Sequence, residues 1–132
     1  MVLDEYLRPN ALIDTLLYKY QKHGRLIIAC DFDRTLYDSK ETGQSYEMVR
    51  QLIRELYASN CYIIIWTGNP NIYGVSTFLI ENNIPYHSIN EDAPFVEIEL
   101  LGRKIYADVF IDDRAGLREV HDTLNRFLIE IK

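Results

Sequence analysis

Six residues have the types and spacing to do chemistry together. Asp31 and Asp33 close the apolar run Leu26-Ile27-Ile28-Ala29-Cys30, within Asp31-Phe32-Asp33-Arg34-Thr35. Thr67 follows the run Cys61-Tyr62-Ile63-Ile64-Ile65-Trp66, and Asp112 and Asp113 close Ile105 to Ile111, with Lys104 just before it. A buried apolar strand has no structural reason to finish in paired acids. Two such pairs brought together repel unless a cation neutralises them. The set Asp31, Asp33, Asp112 and Asp113 offers only oxygen, with no His or Cys cluster beside it. It calls for a hard cation, and octahedral Mg2+ with carboxylates, waters and a substrate phosphate suits it better than zinc or iron.

Those residues need elements to position them. Pro9 to Gln21 reads as a helix, with Pro9 in its opening turn, Leu12, Ile13, Leu16, Leu17 and Tyr20 on one side, and His23-Gly24 as its end. Leu26 to Asp31 reads as a strand buried on both faces. Ser45 caps the next helix, with Glu47 in its first turn, a stripe of Met48, Val49, Leu52, Ile53 and Leu56, and Asn60 as its stop. Cys61 to Trp66 is a second buried strand. Asn69-Pro70 opens a third helix, with Asn69 as its cap and Ile72, Val75, Phe78 and Leu79 facing inward. Ile84-Pro85-Tyr86 suggests a short third strand. Phe95, Ile98 and Leu100 suggest an edge strand or hairpin. Ile105 to Ile111 is the last strand, and Leu117, Val120, Leu124, Phe127 and Leu128 mark a C-terminal helix.

Strands alternating with helices predict an α/β, three-layer Rossmann-like fold with a mainly parallel sheet and helices on both faces. Ligands of such sheets sit beyond the carboxyl ends of the strands, where all the candidate residues fall except Lys104, whose place at that edge is open. The 132 residues suit a single domain, 1–132, and 48% apolar against 26% charged residues suits a globular core rather than a disordered chain. No apolar run approaches the ~20 residues of a membrane span. No signal-like segment opens the chain. Fourteen Lys and Arg against twenty Asp and Glu leave a net charge of −6, which disfavours nucleic acid as the main partner. Both cysteines sit in strand-like runs and read as reduced core thiols of a cytoplasmic protein.

Alone, Asp-x-Asp-x-Thr is also what a strand-to-loop turn looks like. The ordered set is more specific: apolar strand, Asp31-Phe32-Asp33-Arg34-Thr35, apolar strand, Thr67, Lys104, apolar strand, Asp112-Asp113. In this order the chain resembles the haloacid dehalogenase (HAD) superfamily of phosphohydrolases over roughly residues 26 to 128. Ala107 to Arg114 is also similar to the corresponding stretch of 5′(3′)-deoxyribonucleotidases and polynucleotide phosphatase domains of that superfamily. The resemblance implies a HAD-like fold and a Mg2+-dependent phosphomonoester hydrolase. It makes Asp31 the nucleophile, which would carry an aspartyl-phosphate, and Asp33 the general acid/base. It makes Thr67 and Lys104 the holders of the phosphoryl group. Asp112 or Asp113, with Asp31 and the backbone carbonyl of Asp33, would hold the ion.

Arg34 departs from the pattern, standing where many members have Gly. Phosphate capture and a solvent-facing side chain are both open to it, with the balance toward solvent. Arg114 is expected to pair with a nearby carboxylate. His87 could line the pocket, though a surface or core histidine is the simpler reading. Residues 37 to 44 are too few for a cap domain, and 68 to 103 are mostly taken up by a helix and a strand. The site should therefore be open; the resemblance to capless members implies a large phosphorylated substrate or a second copy of the chain as a lid. The alternatives are a nucleic-acid end phosphatase, and a receiver-like phosphoacceptor or interaction module without turnover. A receiver places its acidic pair first and its acceptor Asp on a middle strand, the reverse of the order here.

Overall fold

A computed structural model describes residues 4–96 and 104–132. Four parallel strands form one sheet in the order β3-β2-β1-β4: β1 Ile27–Cys30, β2 Tyr62–Ile65, β3 Ser88–Ile89 and β4 Val109–Ile111. The helices are α1 Ala11–His23, α2 Glu47–Ala58, α3 Ile72–Glu81 and α4 Leu117–Glu130, with a 3-10 turn at Glu5–Leu7. The fold is α/β, three-layered and Rossmann-like.

Side chains of a strand point alternately to its two faces. Ile28 and Cys30 of β1, Ile63 and Ile65 of β2, and Val109 and Ile111 of β4 join the main core. There they meet Ile13 and Leu16 of α1, Leu52, Ile53 and Leu56 of α2, Val75 and Leu79 of α3, and Leu124, Phe127 and Leu128 of α4. Ile27 and Ile64 face the other way and pack against Ala93 and Ile105, with Tyr62, Val96, Ala107 and Phe110 around them. Chain direction accounts for this division. The steps from β1 to β2 to β3 move one way across the sheet, so right-handed crossovers put α2 and α3 on one face. The return from β3 to β4 runs the opposite way and must cross the other face. Residues 91–96 and 104–107 are the described part of that return.

Most element boundaries differ from expectation by one or two residues, and several assignments change. Helix α1 begins at Ala11 rather than Pro9 and ends, as expected, at Gly24, whose φ of 77° suits glycine. Helix α2 has Tyr46 at its N-cap, in the left-handed region, while the Ser45 hydroxyl accepts the Glu47 N–H at 3.3 Å. Met48 is 70% exposed and lies off the inner stripe, as does Ile72 at the start of α3. The cap of α3 is Asn71, whose Oδ1 accepts the Gly74 N–H at 3.0 Å; Asn69 instead accepts the Asn71 N–H. The third strand lies at Ser88–Ile89, not at Ile84-Pro85-Tyr86. Phe95 sits in a turn, half exposed, and Ile98 and Leu100 lie outside the described residues. Both cysteines are free and buried, and burial pushes both thiols above their ordinary pKa.

The connection from β1 to α2 adds no element of regular structure. Its turn is built on Asp38, whose carboxylate accepts the backbone N–H groups of Thr42 at 3.0 Å and Gly43 at 2.7 Å. Nothing in it covers the carboxyl edge of the sheet as a cap domain would.

Candidate active site

Backbone pairing puts the acids side by side. Cys30 is in register with Ile65 on one side and Ile111 on the other, so Asp31 falls level with Trp66 and Asp112. The Asp31 N–H donates to the Ile111 carbonyl and the Trp66 N–H to the Cys30 carbonyl, both at 2.8 Å. The ladder therefore holds as far as Asp31. The chain then turns sharply, with the Phe32 carbonyl accepting from the N–H groups of Thr35, Leu36 and Tyr37.

This turn buries Thr35 completely and aims its hydroxyl at the acids. Thr35 Oγ1 donates to Asp31 Oδ2 at 3.0 Å, accepts the Asp113 N–H at 3.1 Å, and lies 3.5 Å from Asp113 Oδ1. One hydroxyl thus fixes the acids of two strands. Nothing in the sequence set Thr35 apart from an ordinary turn threonine, although it ends the first motif.

Asp31, Asp112 and Asp113 each offer an oxygen, all within 4.8 Å of one another. The Asp33 carboxylate is not in that group, so three of the four expected acids converge. The carboxyl of Asp31 is pushed up to about 7, by burial first, then by hydrogen bonding with Asp113 and by the charge of Asp112, against the opposing Thr35 bond. Oxygens gathered within this span are close enough for one small divalent ion to take a ligand from each acid. The donor set, all carboxylate and mutually repelling, suits a hard divalent cation.

Arg34 does not point to solvent as expected. Its Nε lies 3.7 Å from Asp113 Oδ2, buried and without a hydrogen-bond partner among the described residues. Its φ of 63° is in the left-handed region. Arg114 departs from expectation as well. Its backbone N–H donates to Asp112 Oδ1 at 2.8 Å, but its side chain forms no ion pair among the described residues.

Thr67 follows β2 at the same edge, level with Phe32 by the register of β1 and β2. It is buried, its hydroxyl accepts the Asn69 N–H at 3.0 Å, and it caps no helix. Asn90, which sequence reasoning missed, clamps it: Oδ1 accepts the Thr67 N–H and Nδ2 donates to the Thr67 carbonyl, both at 2.8 Å. A signal for Asn90 existed only in its type, since Asn tolerates the left-handed φ of 58° found there.

Lys104 is exposed, precedes the start of β4 by several residues, and forms no ion pair among the described residues. The structure does not bring it to the acids. His87 is structural. Its Nδ1 accepts the Ile63 N–H at 3.0 Å, and its ring stacks on Tyr57 and Tyr62. Among the described residues no helix is long and apolar enough to cross a membrane.

The sequence matches no family model and no curated protein. It is similar in structure to a conserved protein coded by a locus of Bacteroides thetaiotaomicron, with a TM-score of 0.62 and 21% identity over 77% of this chain and 91% of that one. At that identity the likeness supports the α/β fold alone.

Proposed function

We propose that the protein is a Mg2+-dependent phosphomonoester hydrolase working through an aspartyl-phosphate on Asp31. The observation that carries this reading is the meeting of Asp31, Asp112 and Asp113 within 4.8 Å at the carboxyl edge of a parallel sheet. The order of motifs resembling the HAD superfamily supports it. Asp31, Asp112 and Asp113 would hold the ion, which when bound offsets the repulsion between an anionic nucleophile and a phosphate dianion.

The protein's own groups do the remainder. Asp31 attacks phosphorus through a carboxylate oxygen, and the ester oxygen leaves as the P–O bond breaks. Asp33, two residues on, gives that oxygen a proton and later takes one from the water that cleaves the acyl phosphate. The Thr35 hydroxyl orients the Asp31 carboxylate through Oδ2, so the attacking group is preorganised. Thr67, held by Asn90, stands at the same edge to donate to a phosphoryl oxygen. Lys104 has that role by resemblance alone.

The test is release of phosphate from p-nitrophenyl phosphate with Mg2+, then from a panel of phosphorylated sugars, nucleotides and oligonucleotide ends. Turnover should vanish in Asp31→Asn and with chelator. Turnover that persists in Asp31→Asn would remove Asp31 as nucleophile.

A further inference from the structure

Arg34 combines three features that its neighbours do not share. It takes a left-handed backbone conformation, φ 63°, which glycine adopts freely and which strains a residue with a side chain. Its Nε is buried with no hydrogen-bond partner among the described residues, a state that itself costs free energy. And it stands against the acid cluster, 3.7 Å from Asp113 Oδ2, too far for a hydrogen bond. About a third of the side chain remains exposed, while Nε itself is buried. No hydrogen bond from its side chain to the described residues satisfies its donors. A fork of N–H groups held unmet beside a nucleophile is a receptor for a planar pair of anionic oxygens.

We propose that Arg34 is the anion-binding residue of this site, receiving two oxygens of a phosphoryl group through Nε and an Nη. The inference rests on the phosphohydrolase reading for the identity of the anion, and it goes beyond the role that the resemblance gives to Lys104. The loose pair with Asp113 keeps the guanidinium in place before substrate arrives. When the phosphoryl group enters, the buried Nε gains the acceptor it lacks. The Asp113 carboxylate is then left to the cation.

Calorimetric titration of orthophosphate into the full chain with saturating Mg2+ tests this, with Mg2+ alone titrated in parallel. Arg34→Gly should fold normally, because it relieves the backbone while losing only a long, partly exposed pair. It should weaken orthophosphate binding roughly 10- to 100-fold, without weakening Mg2+ binding. Arg34→Lys keeps the charge but not the fork, and should fall between the two. Lys104→Ala should leave orthophosphate binding nearer to wild type than Arg34→Gly does. The inference is overturned if orthophosphate does not bind the wild type, or binds Arg34→Gly equally well. If the wild type hydrolyses no phosphomonoester yet loses orthophosphate binding in Arg34→Gly, the phosphatase reading falls and this one stands. If it hydrolyses them and Arg34→Gly has an unchanged KM and phosphate affinity, only this one falls.

Discussion

Replacing Asp31 with Asn should stabilise the metal-free protein while removing the group on which the proposed chemistry depends. The Asp31 carboxyl has its pKa pushed from 3.8 to about 7, chiefly by burial and then by hydrogen bonding with Asp113. The folded state therefore keeps a proton that the unfolded chain gives up. Stability from that proton is complete below about pH 4 and is lost as pH rises through 7. At ~1.4 kcal/mol per pH unit the difference sets a ceiling of about 4 kcal/mol. Solvent screening at an open, half-buried site brings it to about 2 kcal/mol. Asn is neutral, nearly the same shape, and still accepts the Thr35 hydroxyl. At pH 8 without metal, Asp31→Asn should melt about 6 °C higher than wild type for a domain of this size. At pH 3.5, below the unfolded pKa, the gap should nearly close. Mg2+ at a hundred times its Kd should raise wild-type stability by about 2.7 kcal/mol. It should do much less for the variant. Thermal melts at both pH values, with and without Mg2+, measure all four terms. A variant less stable than wild type at pH 8, or one stabilised equally by Mg2+, would refute the picture of crowded carboxylates awaiting a cation.

Asn90→Ala should cost about 2–3 kcal/mol in urea unfolding, because it strips two hydrogen bonds from the Thr67 backbone, and it should raise KM more than Asn90→Asp does. Asp108 lies at the opposite end of β1, where its carboxylate accepts the Ile27 N–H at 2.7 Å and pairs with Lys19 at 3.2 Å. Asp108→Ala should cost about 2–4 kcal/mol in the same assay while leaving calorimetric Mg2+ affinity unchanged, which separates structural from metal-facing acids. The pKa of His87 is lowered from 6.5, by burial first and then by Arg25, so its contribution to stability is full above pH 6.5 and lost as pH falls through the lowered value. The stability–pH curve of His87→Gln should be flatter over that window, and an unchanged slope would count against the neutral ring.

Sequence pattern was most informative where a run of apolar residues ends in a charge. Such runs made β1 and β4 legible with Asp31, Asp112 and Asp113 at their ends, and the same apolar pattern gave β2, because burial on both faces leaves little choice of residue. Period-based reading did worse at helix starts. Met48 and Ile72 fall on the apolar stripe by spacing, but each lies in a first turn that overhangs the core. The apolar Ile84-Pro85-Tyr86 looked like a strand, yet Ile84 packs among the helices while pairing with β2 begins at Ser88. Pro85 has no N–H to give to a ladder. The role of Asn90 could not be read, and for Arg34 phosphate capture and a solvent-facing side chain both stayed open. Each depends on a left-handed backbone and on a partner more than twenty residues away, which spacing along the chain does not encode.

The side chain of His87 bears on how this domain behaves among its own kind. Strand β3 has only two residues, so the lower half of β2 would otherwise be an open flank. His87 closes it. Its N–H donates to the Ile63 carbonyl while its ring nitrogen takes the Ile63 N–H, so both main-chain groups of that residue are occupied. An imidazole held between two tyrosines thus does the work of a missing strand. It withholds a template on which another polypeptide could add itself and begin to aggregate.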